Sequence, residues 1–205
     1  MRIVAAIMRK PACFLLFLLL AVPAMAQTGQ QFGFLIGGSS RLYSESDKQK
    51  ARDFCTAGGQ AEDCVTFPSK YKLSDRDIEV FYAVELDSTT TFKIRAGQIN
   101  TDVGVIEASN FVRPSKGHIE HADGIVQYAF SEPFGKTGVF AGIGMYRWSG
   151  DNIASDTNYG YTLGINADFP ITRRHGFIVE GSYHWLNTSS PVRYITLTGG
   201  LRIGF

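Results

Sequence analysis

The chain has 205 residues, a length that suits one domain. Its 20 Lys and Arg residues nearly balance 19 Asp and Glu residues, so it lacks the basic excess of nucleic-acid-binding proteins, and we expect no nucleic-acid partner. Past the first residues, no apolar run approaches the ~20 residues that a membrane-spanning helix needs. Spanning β-strands are not excluded by this test.

The N-terminal segment has the pattern of a secretory signal peptide. Three basic residues precede an unbroken apolar run from Cys13 to Val22, and Ala24-Met25-Ala26 supplies a small-x-small cleavage pattern. The run is too short to cross a membrane as a helix. We therefore predict a cleaved signal peptide at 1–26 and a single β-barrel domain at 27–205.

The remainder of the chain shows period-two alternation of apolar and polar residues, which predicts β-strands. Gly is frequent and Pro is rare. Eight such segments follow in chain order: Gln31–Leu42, Asp77–Leu86, Thr91–Asn100, Gly124–Phe130, Gly138–Trp148, Tyr159–Phe169, Phe177–Leu186 and Arg193–Phe205. The fourth segment is short and could begin earlier, near Glu120.

The connections between these segments alternate in length. Short turns around Ser88, Pro133 and Arg173 join strands two to three, four to five and six to seven. Long connections are expected between strands one and two and between strands three and four. Long loops at one end and short turns at the other are typical of transmembrane barrels, so we predict an eight-stranded antiparallel up-and-down transmembrane β-barrel.

The distribution of side chains indicates which face of the predicted barrel is outside. Large aromatic residues crowd one face of almost every strand, and an eight-stranded lumen has too little room for them. The other face carries Gly, Ser, Thr and charges of both signs. We therefore expect aromatics toward lipid, with Phe near the short-turn end and Tyr and Trp, including Tyr82 and Trp148, near the long-loop end.

The last strand resembles the assembly signal of outer-membrane proteins. It ends in Phe205 and carries Ile195, Leu197, Leu201 and Ile203 at alternate positions before it. With the signal peptide and the eight strands, the chain resembles the small eight-stranded outer-membrane families, such as the OmpA transmembrane domain, OmpX and the opacity-type proteins. This resemblance implies the bacterial outer membrane, with both termini in the periplasm and long loops extracellular.

Two cysteines remain after cleavage of the signal peptide, Cys55 and Cys64. They lie in a polar stretch of the first long loop, Ser44–Ser74. An exported chain meets an oxidising compartment, so a disulfide is the expected state. A metal pair is the alternative, but it lacks further ligands at workable spacing.

The charges of the polar face form the first candidate site. We expect a lumen network, with Glu85 and Lys93 as neighbours across the second turn. The network comprises Arg41, Glu79, Glu85, Lys93, Arg95, Glu180, His184 and Arg202. Buried charges need partners, so the network is interpreted as a structural plug of salt bridges. A gate or narrow pore is the alternative.

A second set, Glu180, Ser182 and His184, lies on one face of strand seven. Serine, histidine and a carboxylate could perform nucleophilic chemistry, as in outer-membrane lipid A deacylases. However, the set faces inward here, and residues two apart on a strand are ~6.5 Å apart. No catalytic residue is therefore assigned, and a lipid A-modifying enzyme stays an alternative.

A third set, His118, Glu120 and His121, falls in the predicted second long loop. Imidazole and carboxylate groups could bind zinc, but a mobile surface loop is the favoured interpretation. No metal and no cofactor are expected.

Together these features predict a non-enzymatic structural or surface-interaction protein. Its expected partners are outer-membrane lipid and lipopolysaccharide, the barrel-assembly machinery, and a host or surface partner that contacts the loops. A narrow pore for small solutes is the remaining alternative.

Overall fold

The structure, a computed structural model, describes residues 29–42, 49, 75–108, 111–132, 135–150, 153–187 and 192–205. The predicted signal peptide and the Cys55–Cys64 disulfide lie outside the described residues. Among the described residues, no helix is long and apolar enough to cross a membrane.

Eight strands form one closed antiparallel barrel in which each strand pairs with its neighbours in sequence and β8 pairs with β1. The predicted all-β, up-and-down barrel is confirmed. The strands are β1 (Gln30–Leu42), β2 (Asp75–Glu85), β3 (Thr90–Ala108), β4 (Phe111–Glu132), β5 (Gly135–Gly150), β6 (Ile153–Pro170), β7 (His175–Leu186) and β8 (Val192–Gly204).

The two ends of the barrel differ. At one end, here the terminus end, β1 begins, β8 ends, and the turns at 86–89 and 171–174 join their strands. The opposite end, here the loop end, carries the connection between β1 and β2. Short turns at one end agree with the sequence prediction.

The predicted long loop between strands three and four is wrong. β3 and β4 continue as a paired hairpin to Ala108 and Phe111, with an irregularity between Asp102 and Gly104. The pairing of β2 with β3 ends at Ile99. The pairing of β4 with β5 ends at Gly117, so the two strands pair only with each other beyond these points.

The outer wall of the barrel is apolar. In the part of the chain that the structure describes, its large exposed side chains alternate along every strand except β3, and they include Phe32, Phe34, Ile36, Ile78, Val80, Val126, Tyr128, Phe130, Ile143, Tyr161, Leu163, Ile165, Phe177 and Trp185. The five residues of the terminal pattern, Ile195, Leu197, Leu201, Ile203 and Phe205, lie on this wall. β8 therefore presents its apolar face outward while its backbone closes the barrel against β1.

The expected sorting of aromatics into two levels fails at two positions. Tyr82 lies directly opposite Phe32, so the two rings share a level. Trp148 is half-buried and packs against apolar side chains inside the barrel. The glycines of β5 obscured the phase of that strand, which is why the sequence placed Trp148 outside.

Inward-facing glycines make room for the large side chains of the lumen. A Cβ atom on Gly164 would lie 2.3 Å from the ring of Phe140, and one on Gly160 would lie 2.6 Å from the ring of Tyr146. Glycine is needed at these positions because the Cβ atom of any other residue would overlap a side chain in the lumen. The interior is thus a packed core.

Candidate functional site: the charged lumen

Arg95 of β3 is the hub of the charges buried inside the barrel. Its Nη2 atom lies 2.6 Å from Asp123 Oδ2, and its Nη1 atom lies 3.5 Å from Glu79 Oε2 and 3.4 Å from Glu180 Oε2. Arg95 also donates to Ser182 Oγ at 3.2 Å and to Thr162 Oγ1 at 3.3 Å. One guanidinium therefore connects β3 to β2, β4, β6 and β7.

Lys93 and His121 complete this group, here the central cluster (Glu79, Lys93, Arg95, His121, Asp123 and Glu180). Lys93 forms an ion pair with Glu180. His121 Nδ1 lies 2.5 Å from Asp123 Oδ1, and Nε2 lies 3.4 Å from Glu79 Oε1. Because both ring nitrogens face carboxylate oxygens, His121 can donate to both only as an imidazolium. With His121 protonated, three cationic side chains would face the three carboxylates of the cluster.

Apolar side chains lie on both sides of the central cluster along the barrel axis. Toward the loop end, the layer consists of Ile99, Ile119, Tyr146, Leu186, Val192 and Tyr194, with Trp148 packed against it. Toward the terminus end, Leu35, Phe81, Ala83 and Ile178 form a second layer. The charges are therefore enclosed in a low-dielectric interior, where charged hydrogen bonds are strong and unpaired charges are costly.

A second, more open group of charges lies at the terminus end. Arg202 Nε donates to Asp168 Oδ2 at 2.5 Å. Glu85 accepts from Gln31 at 3.0 Å and lies 3.5 Å from Lys136 Nζ. A cavity of about 40 Å³ remains beside these residues.

The structure distributes the predicted network over separate places. Glu79, Lys93, Arg95 and Glu180 meet in the central cluster, whereas Glu85 and Arg202 lie at the terminus end. Glu85 is paired with Thr91, and Lys93 is paired with Ala83, so the two charges are diagonal neighbours and do not face each other. Arg41 lies near the loop end of β1, opposite Tyr194.

His184 belongs to an aromatic group beside the central cluster. Its ring stacks on Tyr194 with 4.7 Å between centroids, and its Nδ1 atom lies 3.2 Å from Tyr146 Oη. Ser182 accepts from Arg95 instead. Ser182 and His184 are both fully enclosed and use different partners, which is not the geometry of an activated serine.

The residues of the third predicted set lie on opposite faces of one strand. His118, Glu120 and His121 belong to β4 and not to a loop, so that prediction is wrong. Alternation points His121 into the lumen, while Glu120 is exposed on the outside and pairs with Arg147 at 3.9 Å. Among the described residues, no group of three or more His, Cys, Asp or Glu side chains is arranged to hold a metal ion.

Sequence reasoning did not place His121 and Asp123 in the lumen, because it began strand four at Gly124 and assigned His121 to a loop. The signal was present: Ile119, His121, Asp123, Ile125, Gln127 and Ala129 are all buried at period two. Extending that alternation upstream would have placed both residues inside the barrel. Tyr146 and Tyr194 were missed because aromatic residues were expected outside.

Comparisons with known proteins support the fold. No family model matches the sequence, and no curated protein matches it significantly. The structure of Neisserial surface protein A is similar over 87% of this chain and 100% of that chain, with a TM-score of 0.60 and 10% identity. The N-terminal β-barrel domain of Pseudomonas aeruginosa OprF is similar over 87% of this chain and 98% of that chain, with a TM-score of 0.51 and 10% identity. The chain therefore has the fold of small eight-stranded outer-membrane β-barrels.

Proposed function

We propose that this chain is an integral outer-membrane β-barrel with a closed lumen, which acts through its surface and not through catalysis or transport. The observation that carries the proposal is the inverted distribution of side chains. The outer wall exposes large apolar residues on seven of the eight strands, as far as the structure describes them, while Arg95 and its carboxylate partners are completely buried. A water-soluble barrel would have the opposite arrangement, because exposed apolar surface is unfavourable in water.

Fractionation of cells combined with a heat-modifiability gel tests this proposal. We expect the mature protein in the outer-membrane fraction, with a folded form that migrates differently before and after boiling. A soluble periplasmic protein with a single gel mobility would contradict it. The same experiment with Phe205→Ala tests recognition of β8 by the barrel-assembly machinery, for which we expect less inserted protein.

The closed lumen argues against a narrow pore. Two apolar layers enclose the central cluster, and the hub side chain Arg95 spans the interior to reach four other strands. An ion would have to displace paired charges and pass both layers. We expect no steady conductance in planar bilayers, and regular single-channel steps from the purified protein would overturn this part of the proposal.

The surface role is assigned to the loop end, which we propose is extracellular. The β3–β4 hairpin projects from this end, and the connection between β1 and β2, with its predicted disulfide, belongs to it. Deletion of 44–74 should leave the gel shift intact while reducing adhesion to host cells or survival in serum. An unchanged phenotype would argue against a host-contact role for this connection.

A further inference from the structure

Two grooves interrupt the apolar outer wall, and neither has a charged side chain in its described lining. The first, here the loop-end groove, has a volume of about 630 Å³ and is lined by Gly124, Val126, Ala141, Gly142, Ile143, Tyr161, Thr162, Leu163 and Trp185. The second, here the terminus-end groove, has about 420 Å³ and no charged side chain in its described lining.

The loop-end groove exists because small residues interrupt a row of large ones. Gly124 is paired with Ile143, and Ile143 with Tyr161, which is paired with Trp185 in turn. A Cβ atom on Gly124 would make only an ordinary contact with Phe92, at 3.8 Å, so a larger side chain could be accommodated at this position. The groove is therefore deepest at Gly124, and the side chains of Tyr161 and Trp185 border it on the side of β6 and β7.

A cation lies beside this wall. Arg193 of β8 is paired with Trp185, is exposed on the outside, and places its guanidinium carbon 5.8 Å from the centre of the Trp185 ring. The Tyr161 and Trp185 rings contact each other with centroids 6.2 Å apart. An arginine held over an aromatic ring keeps its planar donors available for phosphate, which guanidinium binds through two parallel hydrogen bonds.

We propose that the loop-end groove binds a lipopolysaccharide molecule, with one acyl chain of lipid A in the groove and a lipid A phosphate on Arg193. This inference rests on the proposed membrane insertion and on the assignment of the loop end to the outside of the cell. The apolar floor fits the chain, the Tyr161–Trp185 pair lies where aromatic side chains favour the membrane interface, and Arg193 complements an anionic headgroup. Lipopolysaccharide is the anionic lipid of the outer leaflet.

Trp185 supplies a direct readout, because the chain has only 2 Trp residues and the other, Trp148, faces the lumen. In a Trp148→Phe background, the emission of Trp185 reports on the groove alone. The refolded full barrel in detergent would be titrated with deep-rough lipopolysaccharide, and separately with phosphatidylglycerol. We expect a saturable change with lipopolysaccharide at a concentration at least about tenfold lower than with phosphatidylglycerol, an affinity ratio typical of one well-placed charged contact.

Matched variants separate the two halves of the site. Arg193→Gln should weaken lipopolysaccharide binding about tenfold by removal of a charge-assisted contact. Arg147→Gln, at another exposed arginine that pairs with Glu120, should leave it unchanged. Gly124→Leu should fill the groove and weaken binding, whereas Gly181→Leu should not, because Gly181 lines the terminus-end groove and could also accommodate a larger side chain.

Several results would overturn the inference. Equal responses to both lipids, or equal effects of Gly124→Leu and Gly181→Leu, would indicate ordinary contact with surrounding lipid. A change in Trp185 emission that follows protein concentration without added lipid would indicate a second copy of the chain in the groove. The heat-modifiability gel separates these failures from failure of the proposed function, because a barrel that shows the gel shift without lipopolysaccharide binding refutes only the groove.

Discussion

The lumen and the outer wall are the two faces of the same eight strands, and their side chains make different kinds of contact. Inside, the central cluster has specific polar contacts: Arg95 contacts three carboxylates and two hydroxyl groups contributed by four strands. Outside, apolar residues of similar size follow one another with few specific contacts. Stability and uniqueness should therefore depend on the lumen, whereas the wall should tolerate exchange among apolar residues.

Removal of the hub is expected to have the largest effect. Arg95→Met leaves Glu79, Asp123 and Glu180 without their shared cation in a buried site, which should lower the free energy of unfolding by about 3–5 kcal/mol. Urea unfolding of the barrel in lipid vesicles measures this. Arg147→Gln is the control, since its exposed pair should contribute at most about 1 kcal/mol. Equal losses in the two variants would contradict the comparison.

Truncation of one phenylalanine in the lumen and one on the outer wall compares the two faces with apolar side chains. Phe81 is 2% exposed in the lumen layer, whereas Phe130 is 50% exposed on the wall. Phe81→Ala should cost about 3–5 kcal/mol through the cavity that it leaves. Phe130→Ala should cost about 1.5–3 kcal/mol, the transfer term of a ring that moves from water to lipid on insertion and leaves no cavity when it is truncated. Chemical denaturation of both variants measures the two losses of unfolding free energy. A larger loss for Phe130→Ala than for Phe81→Ala would contradict the assignment of Phe81 to the lumen and Phe130 to the outer wall.

A pair of glycines extends the test to the backbone. A Cβ atom on Gly164 would lie 2.3 Å from Phe140 and 2.4 Å from the Gly181 carbonyl oxygen, so Gly164→Ala should cost about 1–3 kcal/mol through overpacking. Gly181→Ala places its methyl group 3.8 Å from Ile165 on the wall and should change stability by no more than about 0.5 kcal/mol. Thermal unfolding, followed by the shift in gel mobility, should rank Gly164→Ala as less stable than Gly181→Ala.

The smallest effect is expected at an exposed turn. Asp87 Oδ1 accepts from the backbone N–H groups of Thr89 and Thr90 at 2.7 Å, and these bonds lower the pKa of Asp87 to about 2. The contribution of the ionised form is complete above the unfolded pKa of 3.8 and is lost as the pH falls through about 2.

Asp87→Asn should therefore be slightly less stable than the natural chain at neutral pH. The difference should vanish near pH 2, as measured by unfolding at a series of pH values. A difference that grows as the pH falls would contradict the assigned hydrogen bonds.

The wall was easier to predict from the sequence than the lumen, for a physical reason. Contact with lipid requires only that apolar residues recur at period two, and β6 and β8 show this pattern directly. Strand ends were less predictable, because β3 and β4 pair with each other beyond the residues that pair with β2 and β5. Where the alternation was visible, as in β2 and β7, the inward charges were placed on the right face.

Partners within the lumen could not be predicted from alternation. The pairing of Lys93 with Glu180 joins strands that are far apart in sequence, and it depends on the stagger of all the strands around the barrel. Alternation fixes the face of a residue but not its height against a distant strand. Trp148 shows a further limit. The glycines of β5 interrupt the alternation of that strand, so the sequence did not show which face Trp148 occupies.

The most direct test of the account measures contact of each face with lipid. A single Trp would be placed at Leu163 on the wall or at Tyr146 in the lumen, in a background without Trp148 and Trp185, and the protein inserted into vesicles of brominated phospholipid. We predict strong quenching of Trp at 163 and almost none at 146, since Leu163 is 55% exposed and Tyr146 is 0% exposed. Equal quenching at both positions, or stronger quenching at 146, would contradict a lipid-facing wall around a closed, charged lumen.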